Sequence, residues 1–180
     1  MAKLPIIVAP DPLLKKQAMP VEEVDDELRQ LMDDMLETMY DAPGIGLAAP
    51  QVGVLKRIIV VDCAREGEPP KPYKMVNPEL LWLSEEEAVY EEGCLSLPDH
   101  YADVRRPASA RIAYLDENGV AQELEAEGLL STCVQHEMDH LEGVLFVDHI
   151  SALKRKIILR KLQKAKKSAK ESEPRLAHAL

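Results

Sequence analysis

Apolar residues at helical spacing define the clearest element near the start of the chain. They recur at steps of three and four, with Asp and Glu on the opposite face of the implied helix. The apolar stripe consists of Val24, Leu28, Leu31, Met32, Met35, Leu36 and Met39. Negative charge at residues 22–26 suits the positive end of a helix dipole, and Ala42-Pro43-Gly44 is expected to end the helix.

Shorter apolar runs divide the middle of the chain and predict strands. A β-branched run at residues 57–62 predicts a buried strand. Further strands are expected at residues 73–83, 88–91, 110–115 and 121–126. Asp116-Glu-Asn-Gly119 has the composition of a hairpin turn between the last two.

Two more helices are predicted after the strands. Gly128 opens the first, which is expected to reach Glu142 and to stop at Gly143. The second covers about residues 151–169, with Ser151 as its N-cap. Its apolar side is expected to hold Leu153, Ile157 and Leu162. One helix, several antiparallel strands and two further helices predict an α+β fold, with the strands packed around the central helix.

Composition is that of an ordinary globular protein, since 46% of the residues are apolar and 30% are charged. A chain of 180 residues fits one domain. Cys63, Cys94 and Cys133 form an odd, scattered set, which does not indicate a disulfide framework. The first apolar run is too short for a signal peptide, and no stretch approaches the roughly 20 apolar residues of a membrane span. We therefore expect a cytoplasmic protein with neither a membrane nor DNA as a partner.

Charge is distributed unevenly along the chain. Nine basic residues and no acidic ones lie between Lys154 and Lys170, although the whole chain has a formal charge of −10. With those nine set aside, 13 basic residues remain of the 22, against 32 acidic ones, so the rest of the chain carries −19. A charge block near one end often indicates an interaction surface. A solvated helix face without a partner is the alternative interpretation.

The sharpest chemical motif is His136-Glu-Met-Asp-His140 on the central helix. Residues four apart share a helix face, so both imidazoles can reach one metal ion while Glu137 lies near an open coordination position. Two surface histidines would be the alternative. The surrounding apolar residues make that helix look buried instead, which favours a metal-binding helix. They are Leu129, Leu130, Cys133, Val134 and Leu141.

A catalytic metal site of this kind needs a third protein ligand. Phe146 occupies the place where one zinc-protease family has a third His, and the only Glu residues after the helix, Glu171 and Glu173, lie in a polar tail. His149 is a weak competitor. The best upstream candidate is Cys94, because it follows a glycine and because thiolate is a good ligand for late first-row metals.

Residues 44–53 form a glycine-rich segment without the Gly-Lys-Ser/Thr ending of a phosphate loop. Its small residues would let a peptide backbone lie alongside, and Gln51 could offer an amide donor. Cys63 and Cys133 are interpreted as small buried residues.

Three motifs in this order resemble the signature of the peptide deformylases. They are Gly44-Ile-Gly-Leu-Ala-Ala-Pro-Gln51, Glu92-Gly-Cys-Leu-Ser96 and Gln135-His-Glu-Met-Asp-His140, within a resemblance that spans about residues 5–165. That family removes the formyl group from the N-formylmethionine of nascent chains. The resemblance implies Cys94, His136 and His140 as ligands of one divalent metal ion. Native Fe²⁺ is expected, and Zn²⁺, Ni²⁺ or Co²⁺ can substitute.

The resemblance also implies roles for other residues. Glu137 would move protons, while Gln51 and the backbone N–H of Leu95 would hold the developing oxyanion. The methionine pocket would be lined by Ile45, Tyr90, Glu92, Leu129, Thr132 and Cys133, and the substrate backbone would meet Ile45, Gly46 and Gly93. Tyr101 is a departure, since many relatives carry a basic residue near that position.

Domain organisation and partners follow from the same resemblance. Residues 1–150 are expected to form the catalytic domain, and residues 151–180 a basic helix and flexible tail of that domain. The basic helix suits ribosome contact, because RNA attracts Lys and Arg through its phosphates. A general zinc peptidase and a binding module that keeps the fold are the rival interpretations.

Overall fold

The computed structural model describes residues 2–172. Its three α-helices are α1 (Asp26–Asp41), α2 (Gly128–Leu141) and α3 (Ala152–Ser172). The seven strands are β1 (Gly46–Ala48), β2 (Ile58–Val61), β3 (Tyr73–Leu83), β4 (Glu87–Cys94), β5 (Leu97–Pro107), β6 (Ser109–Leu115) and β7 (Ala121–Glu127). Strands β1-β2-β3-β6-β7 form one antiparallel sheet, and β4 and β5 form a separate hairpin. This is the α+β architecture that the sequence predicted.

Strand β2 shows how the sheet is held between two helices. Its four residues are all buried, and successive side chains point to opposite faces. Ile59 and Val61 belong to the core cluster that includes α2, whereas Ile58 and Val60 belong to the cluster that includes α1. Burial on both faces explains why its sequence is an unbroken β-branched run. Helix α2 therefore lies inside the molecule, as predicted.

A third core cluster fastens the hairpin of β4 and β5 to the ends of the chain. It contains Leu97 and Val104 of β5, Phe146 of a short 3-10 helix (Phe146–His149), and Leu162 of α3. The N-terminal segment joins it by backbone hydrogen bonds, because Ala9 N donates to Ser96 O at 2.8 Å. This cluster places the turn of the hairpin beside α2.

Local signals fixed most helix ends correctly. Asp25 caps α1 by accepting from Leu28 N at 2.8 Å, and Ser151 Oγ accepts from Lys154 N at 3.2 Å, as predicted for α3. Gly143, with a φ of 71°, follows α2 in a conformation that favours glycine. The hairpin turn before β7 is confirmed by the Gly119 N to Asp116 O bond of 3.0 Å.

The predicted apolar side of α3 was partly wrong. Leu162 is 4% exposed, but Leu153 and Ile157 are 70% and 45% exposed. The side that packs against the third cluster contains Ile158 and Leu159 instead. A helix that touches the body along a narrow stripe leaves neighbouring apolar positions in solvent, so its sequence alone does not identify the contact.

Strands β1 and β5 were missed by the sequence prediction. Strand β1 is three residues long within a glycine-rich segment, and β5 contains Pro98 and several charges. Both are strands because a partner supplies hydrogen bonds, from β2 and β4 respectively. A flexible tail was predicted after the basic helix, and residues 173–180 of that region lie outside the described residues. Within residues 2–172, none of the helices has the length and apolar character needed to cross a bilayer.

Asp148 connects three segments around the third cluster, which leads to a stability prediction. Its carboxylate accepts from Lys15 Nζ at 2.6 Å, Arg155 Nε at 2.8 Å and Leu145 N at 2.9 Å. Burial opposes the charge, but these hydrogen bonds lower the pKa of Asp148 below its usual value. The stabilisation is therefore present above the unfolded value of about 3.9 and is lost as the pH falls through the folded pKa.

We expect Asp148→Asn to lower the free energy of unfolding by about 1 kcal/mol at pH 7, because both cationic partners are half exposed. Urea unfolding of the metal-free proteins measures this. The gap between wild type and variant should narrow at pH 3. Glu85→Gln, at an exposed position, is the control and should change nothing. Equal stability of wild type and Asp148→Asn at pH 7 would contradict the prediction.

Candidate metal centre and peptide pocket

The three predicted ligands meet although they come from two distant parts of the chain. Cys94 ends β4, whereas His136 and His140 lie one turn apart on α2. Their ligand atoms all lie within 4.8 Å of one another, and Cys94 Sγ lies 3.4 Å from His140 Nε2. Among residues 2–172 this is the only such group of His, Cys, Asp and Glu atoms.

The chemistry of these groups fits a divalent metal. One sulfur and two ring nitrogens are the donors that late first-row metals take, and three protein ligands leave a position for water. His140 is 1% exposed, and burial holds the pKa of its imidazole well below the ordinary value, so the ring is neutral as ligation requires. His149, the weaker candidate, instead contacts Asp139 Oδ2 through its Nε2 at 2.8 Å.

Glu92 orients His136 by a contact with one of its two ring nitrogens. Its Oε1 lies 2.7 Å from His136 Nδ1, which leaves His136 Nε2 as the nitrogen available to a metal. Such carboxylate–histidine pairs fix the orientation and tautomer of a ligating ring. Both residues are buried, with 6% and 8% exposed.

Arg106 holds Glu92 in its charged form. Its Nε donates to Glu92 Oε2 at 2.7 Å and its Nη2 donates to Glu92 Oε1 at 3.0 Å, while Nη1 reaches Asp139 Oδ2 at 2.8 Å. Burial alone would raise the pKa of Glu92, but the hydrogen bonds from His136 and Arg106 lower it to about 2. Sequence reasoning missed Arg106 and Asp139. No local pattern in Arg105-Arg106-Pro107 distinguishes a buried arginine from an exposed one.

Glu137 faces the site from α2 and is itself buried, with 4% exposed. Its Oε2 has no hydrogen-bond partner among the described residues. Burial raises the pKa of this carboxyl to about 7, so the group can gain and lose a proton near neutral pH. Gly46 is required beside it, because a Cβ there would collide with the Glu137 carboxylate.

Gln51 lies across the site from α2 and is held at both ends of its amide. Its Oε1 accepts from Ala48 N at 2.9 Å, and its Nε2 donates to Ser96 Oγ at 3.1 Å and lies 3.5 Å from Cys94 Sγ. Ser96, fully buried, is a further residue that sequence reasoning did not assign. Leu95 lies in the turn between β4 and β5, directly after Cys94.

A pocket of about 560 Å³ opens in front of these groups. It brings together every residue predicted for substrate binding: Ile45, Gly46, Tyr90, Glu92, Gly93, Leu129, Thr132 and Cys133. Gln51, Leu95, Glu137, Cys94 and His136 also line it, and Tyr101 lies at its rim with 64% exposed. A cavity of about 780 Å³ on the other side of α2 is lined by Met138, Asp139 and Glu142 and touches none of the three ligands. The chemistry therefore belongs to the smaller pocket.

Comparisons with known proteins identify one family. The family model described as polypeptide deformylase matches residues 3–156. The chain is 58% identical over 170 residues to the peptide deformylase of Mesorhizobium japonicum, covering 94% of this chain and 95% of that protein. It is 60% identical over 169 residues to the peptide deformylase of Phenylobacterium zucineum, covering 94% of this chain and 100% of that protein.

Solved structures give the same result. The crystal structure of peptide deformylase from Ehrlichia chaffeensis matches with a TM-score of 0.89 at 38% identity, over 93% of this chain and 99% of that one. The same protein in complex with actinonin matches with a TM-score of 0.88 at 40% identity, over 92% of this chain and 99% of that one. The chain thus belongs to the peptide deformylase family, the metal-dependent hydrolases that remove the N-formyl group from the initiator N-formylmethionine of nascent polypeptides and release formate.

Proposed function

We propose that Cys94, His136 and His140 bind the metal with which this chain deformylates N-formylmethionyl peptides, and that Glu137 is the catalytic acid/base. The observation that carries the proposal is the convergence of three ligand atoms within 4.8 Å beside the buried Glu137 carboxylate, whose Oε2 has no hydrogen-bond partner within residues 2–172. The pocket beside them accepts one side chain at its wall and a peptide backbone along its glycines.

One divalent cation is proposed for the site, with Fe²⁺ as the native metal and Zn²⁺, Ni²⁺ or Co²⁺ as substitutes. A thiolate with two imidazoles suits each of these ions. When bound, such a cation would supply a Lewis acid that lowers the pKa of a water to about 7. The protein residues around the cation are proposed to transfer the proton and to stabilise the charge on the formyl oxygen.

Glu137 accepts the proton of the attacking water and delivers it to the departing amine. Its pKa of about 7 suits both steps, because a group that titrates near the working pH serves equally well as base and as acid. Gln51 and the backbone N–H of Leu95 are the proposed donors to the formyl oxygen as charge develops on it. Loss of one such donor costs about 3 kcal/mol of transition-state stabilisation.

The methionine side chain is proposed to enter the part of the pocket formed by Ile45, Tyr90, Leu129, Thr132 and Cys133. Ile45 is 42% exposed and Leu129 is also 42% exposed, so both present apolar surface that a substrate would cover. The peptide backbone is proposed to lie along Gly46 and Gly93, both of which line the pocket.

The direct test measures formate release from formyl-Met-Ala-Ser by protein purified with iron in the absence of oxygen. We expect release by wild type and none from unblocked Met-Ala-Ser, which distinguishes a deformylase from a general peptidase. Cys94→Ala should lose both the bound metal and the activity, because it removes one of three ligands. A metallated wild-type protein that releases no formate would overturn the proposal, and metal content like that of wild type in Cys94→Ala would overturn the ligand assignment.

Helix α3 is proposed to contact the ribosome. A cytoplasmic location of the protein is proposed with it, because nascent chains are made there. Its basic residues project from a helix in which only Leu162 is buried, while Ile158 and Leu159 fasten it to the body. This packing supports the proposal that the basic C-terminal region (residues 151–180), of which the structure describes residues up to 172, belongs to the same domain as residues 1–150. A row of exposed lysines suits a phosphate backbone.

Ribosome co-sedimentation tests this contact. We expect the triple change Lys161→Glu, Lys164→Glu and Lys167→Glu to abolish sedimentation with ribosomes at low salt, and wild-type sedimentation to fall as salt rises. A matched charge reversal of the exposed Lys16, Lys56 and Arg65 is the control and should sediment like wild type. Equal loss in both variants would indicate a general charge effect and would contradict a specific surface.

A further inference from the structure

Two cysteines, Cys63 and Cys133, lie outside the metal centre, and neither is proposed above to bind the metal or to move a proton. Cys63 follows the end of β2, and Cys133 lies on α2, one turn before His136. Both are free thiols. Cys133 lines the pocket with only 5% exposed, whereas Cys63 is half-buried and is not a pocket residue.

The backbone carbonyl of Ile45 shows that the two cysteines are neighbours. Its oxygen accepts from Asp62 N at 2.9 Å and from Cys133 Sγ at 3.5 Å. Asp62, the residue before Cys63, and the Cys133 thiol therefore bind the same oxygen atom, which brings Cys63 close to Cys133. The Cys63 side chain also packs against the core cluster that contains Cys133. Each thiol is also the largest single influence on the pKa of the other.

Reactivity is divided between the two sulfurs. The hydrogen bond with Cys133 lowers the pKa of Cys63, although burial and the charges of Asp62 and Glu137 oppose this. The same hydrogen bond and full burial raise the pKa of Cys133. Because thiolate is the form that attacks an oxidant, the more exposed Cys63 is the nucleophile and Cys133 is the resolving thiol.

We propose that Cys63 and Cys133 are a peroxide-sensitive dithiol whose disulfide alters the methionine pocket. The Cys63 thiolate attacks the O–O bond of hydrogen peroxide, which forms a sulfenic acid and releases hydroxide. The Cys133 sulfur then attacks the Cys63 sulfur, so that the S–S bond forms and a second water leaves. Two thiols lose two electrons and one peroxide becomes two waters. The effect of the disulfide on methionine binding rests on the proposed function. Formation of the disulfide itself does not depend on that function.

The expected consequence is weaker peptide binding. A disulfide removes the Cys133 hydrogen bond to the Ile45 carbonyl and ties α2 to the end of β2. Ile45 and Cys133 both line the pocket, so its shape changes where methionine is proposed to lie. Neither sulfur belongs to the metal centre. We therefore expect a several-fold rise in KM for formyl-Met-Ala-Ser with metal content unchanged.

Peptide mapping of the zinc-loaded full chain tests the proposal, because zinc removes iron oxidation as a competing event. The protein is treated with equimolar hydrogen peroxide, the free thiols are alkylated, and the digest is analysed by mass spectrometry alongside the KM. We expect a peptide pair linked through Cys63 and Cys133, alkylation of Cys94 alone, and recovery of the original KM after dithiothreitol. Cys63→Ser is the control. Its KM should match that of reduced wild type and should not respond to peroxide.

Other results would overturn the inference. Stepwise oxygen addition to single cysteines, or a linked peptide that contains Cys94, would exclude the dithiol. A Cys63–Cys133 disulfide that leaves KM unchanged would exclude its effect on the pocket. Absence of formate release from the reduced, metallated wild type would be a failure of the proposed function instead, and the peptide map would still decide whether the disulfide forms.

Discussion

Glu137→Gln is expected to keep its metal and to lose about 1,000-fold in kcat, within the range that general acid–base catalysis supplies. Gln has nearly the same shape as Glu but cannot take a proton at neutral pH. Glu137 is 4% exposed and its Oε2 has no hydrogen-bond partner among the described residues, so the substitution breaks no hydrogen bond to that oxygen. Formate release under saturating formyl-Met-Ala-Ser measures kcat, and elemental analysis measures the bound metal.

A matched control comes from the end of the same helix. Glu142 follows α2 and pairs with Arg57 at the surface. Glu142→Gln should therefore retain wild-type kcat. If Glu137→Gln turned over at a rate close to wild type, Glu137 could not be the proton carrier. If it lost its metal as well, the loss of activity would no longer report on proton transfer.

Arg106→Leu is expected to lower the free energy of unfolding by about 3–5 kcal/mol, the usual result of leaving a buried charge without its partner. Arg106 and Glu92 side chains are each 5% exposed, and two hydrogen bonds join them. Removing the guanidinium leaves Glu92 to be neutralised or rehydrated. Because Glu92 also holds His136, metal affinity should fall by about 10- to 100-fold. Denaturant unfolding and competition with a chelator measure the two effects.

Two further variants separate the charge from the shape of the side chain. Arg106→Lys keeps the charge but cannot reproduce the paired bonds, so it should lie between wild type and Arg106→Leu. The double change Arg106→Leu with Glu92→Gln removes both charges and should recover part of the lost stability. Glu92→Gln alone supplies the reference value for the double variant. If Glu92→Gln destabilised the Arg106→Leu protein as much as it destabilises wild type, the two side chains would be energetically independent, which would contradict the paired hydrogen bonds in the structure.

Elements with a local cause were predictable from the sequence. Helix α1 follows from an apolar stripe with acidic residues at its N-terminus, and β2 follows from four consecutive β-branched residues. The two histidines share a face of α2 because they are four residues apart, whatever the rest of the chain does. Strands β1 and β5 were missed because their strand character comes from pairing partners rather than from their own residues. The apolar side of α3 was wrong for Leu153 and Ile157 for a related reason, since only the body decides which stripe is covered.

The sequence by itself determined the two-histidine helix, the glutamate between the two histidines and, through three spaced motifs, the family. Only the tertiary structure decided what surrounds them. Cys94 Sγ reaches His140 across 46 residues and Glu92 reaches His136 across 44, distances along the chain that no periodicity spans. Arg106 is buried because strand pairing turns it toward Glu92. Cys63 lies near Cys133 because Asp62 N, in the residue before Cys63, and Cys133 Sγ both donate to the Ile45 carbonyl oxygen. Local spacing fixes which side chains share one face of an element, whereas contact between elements depends on how the whole core packs.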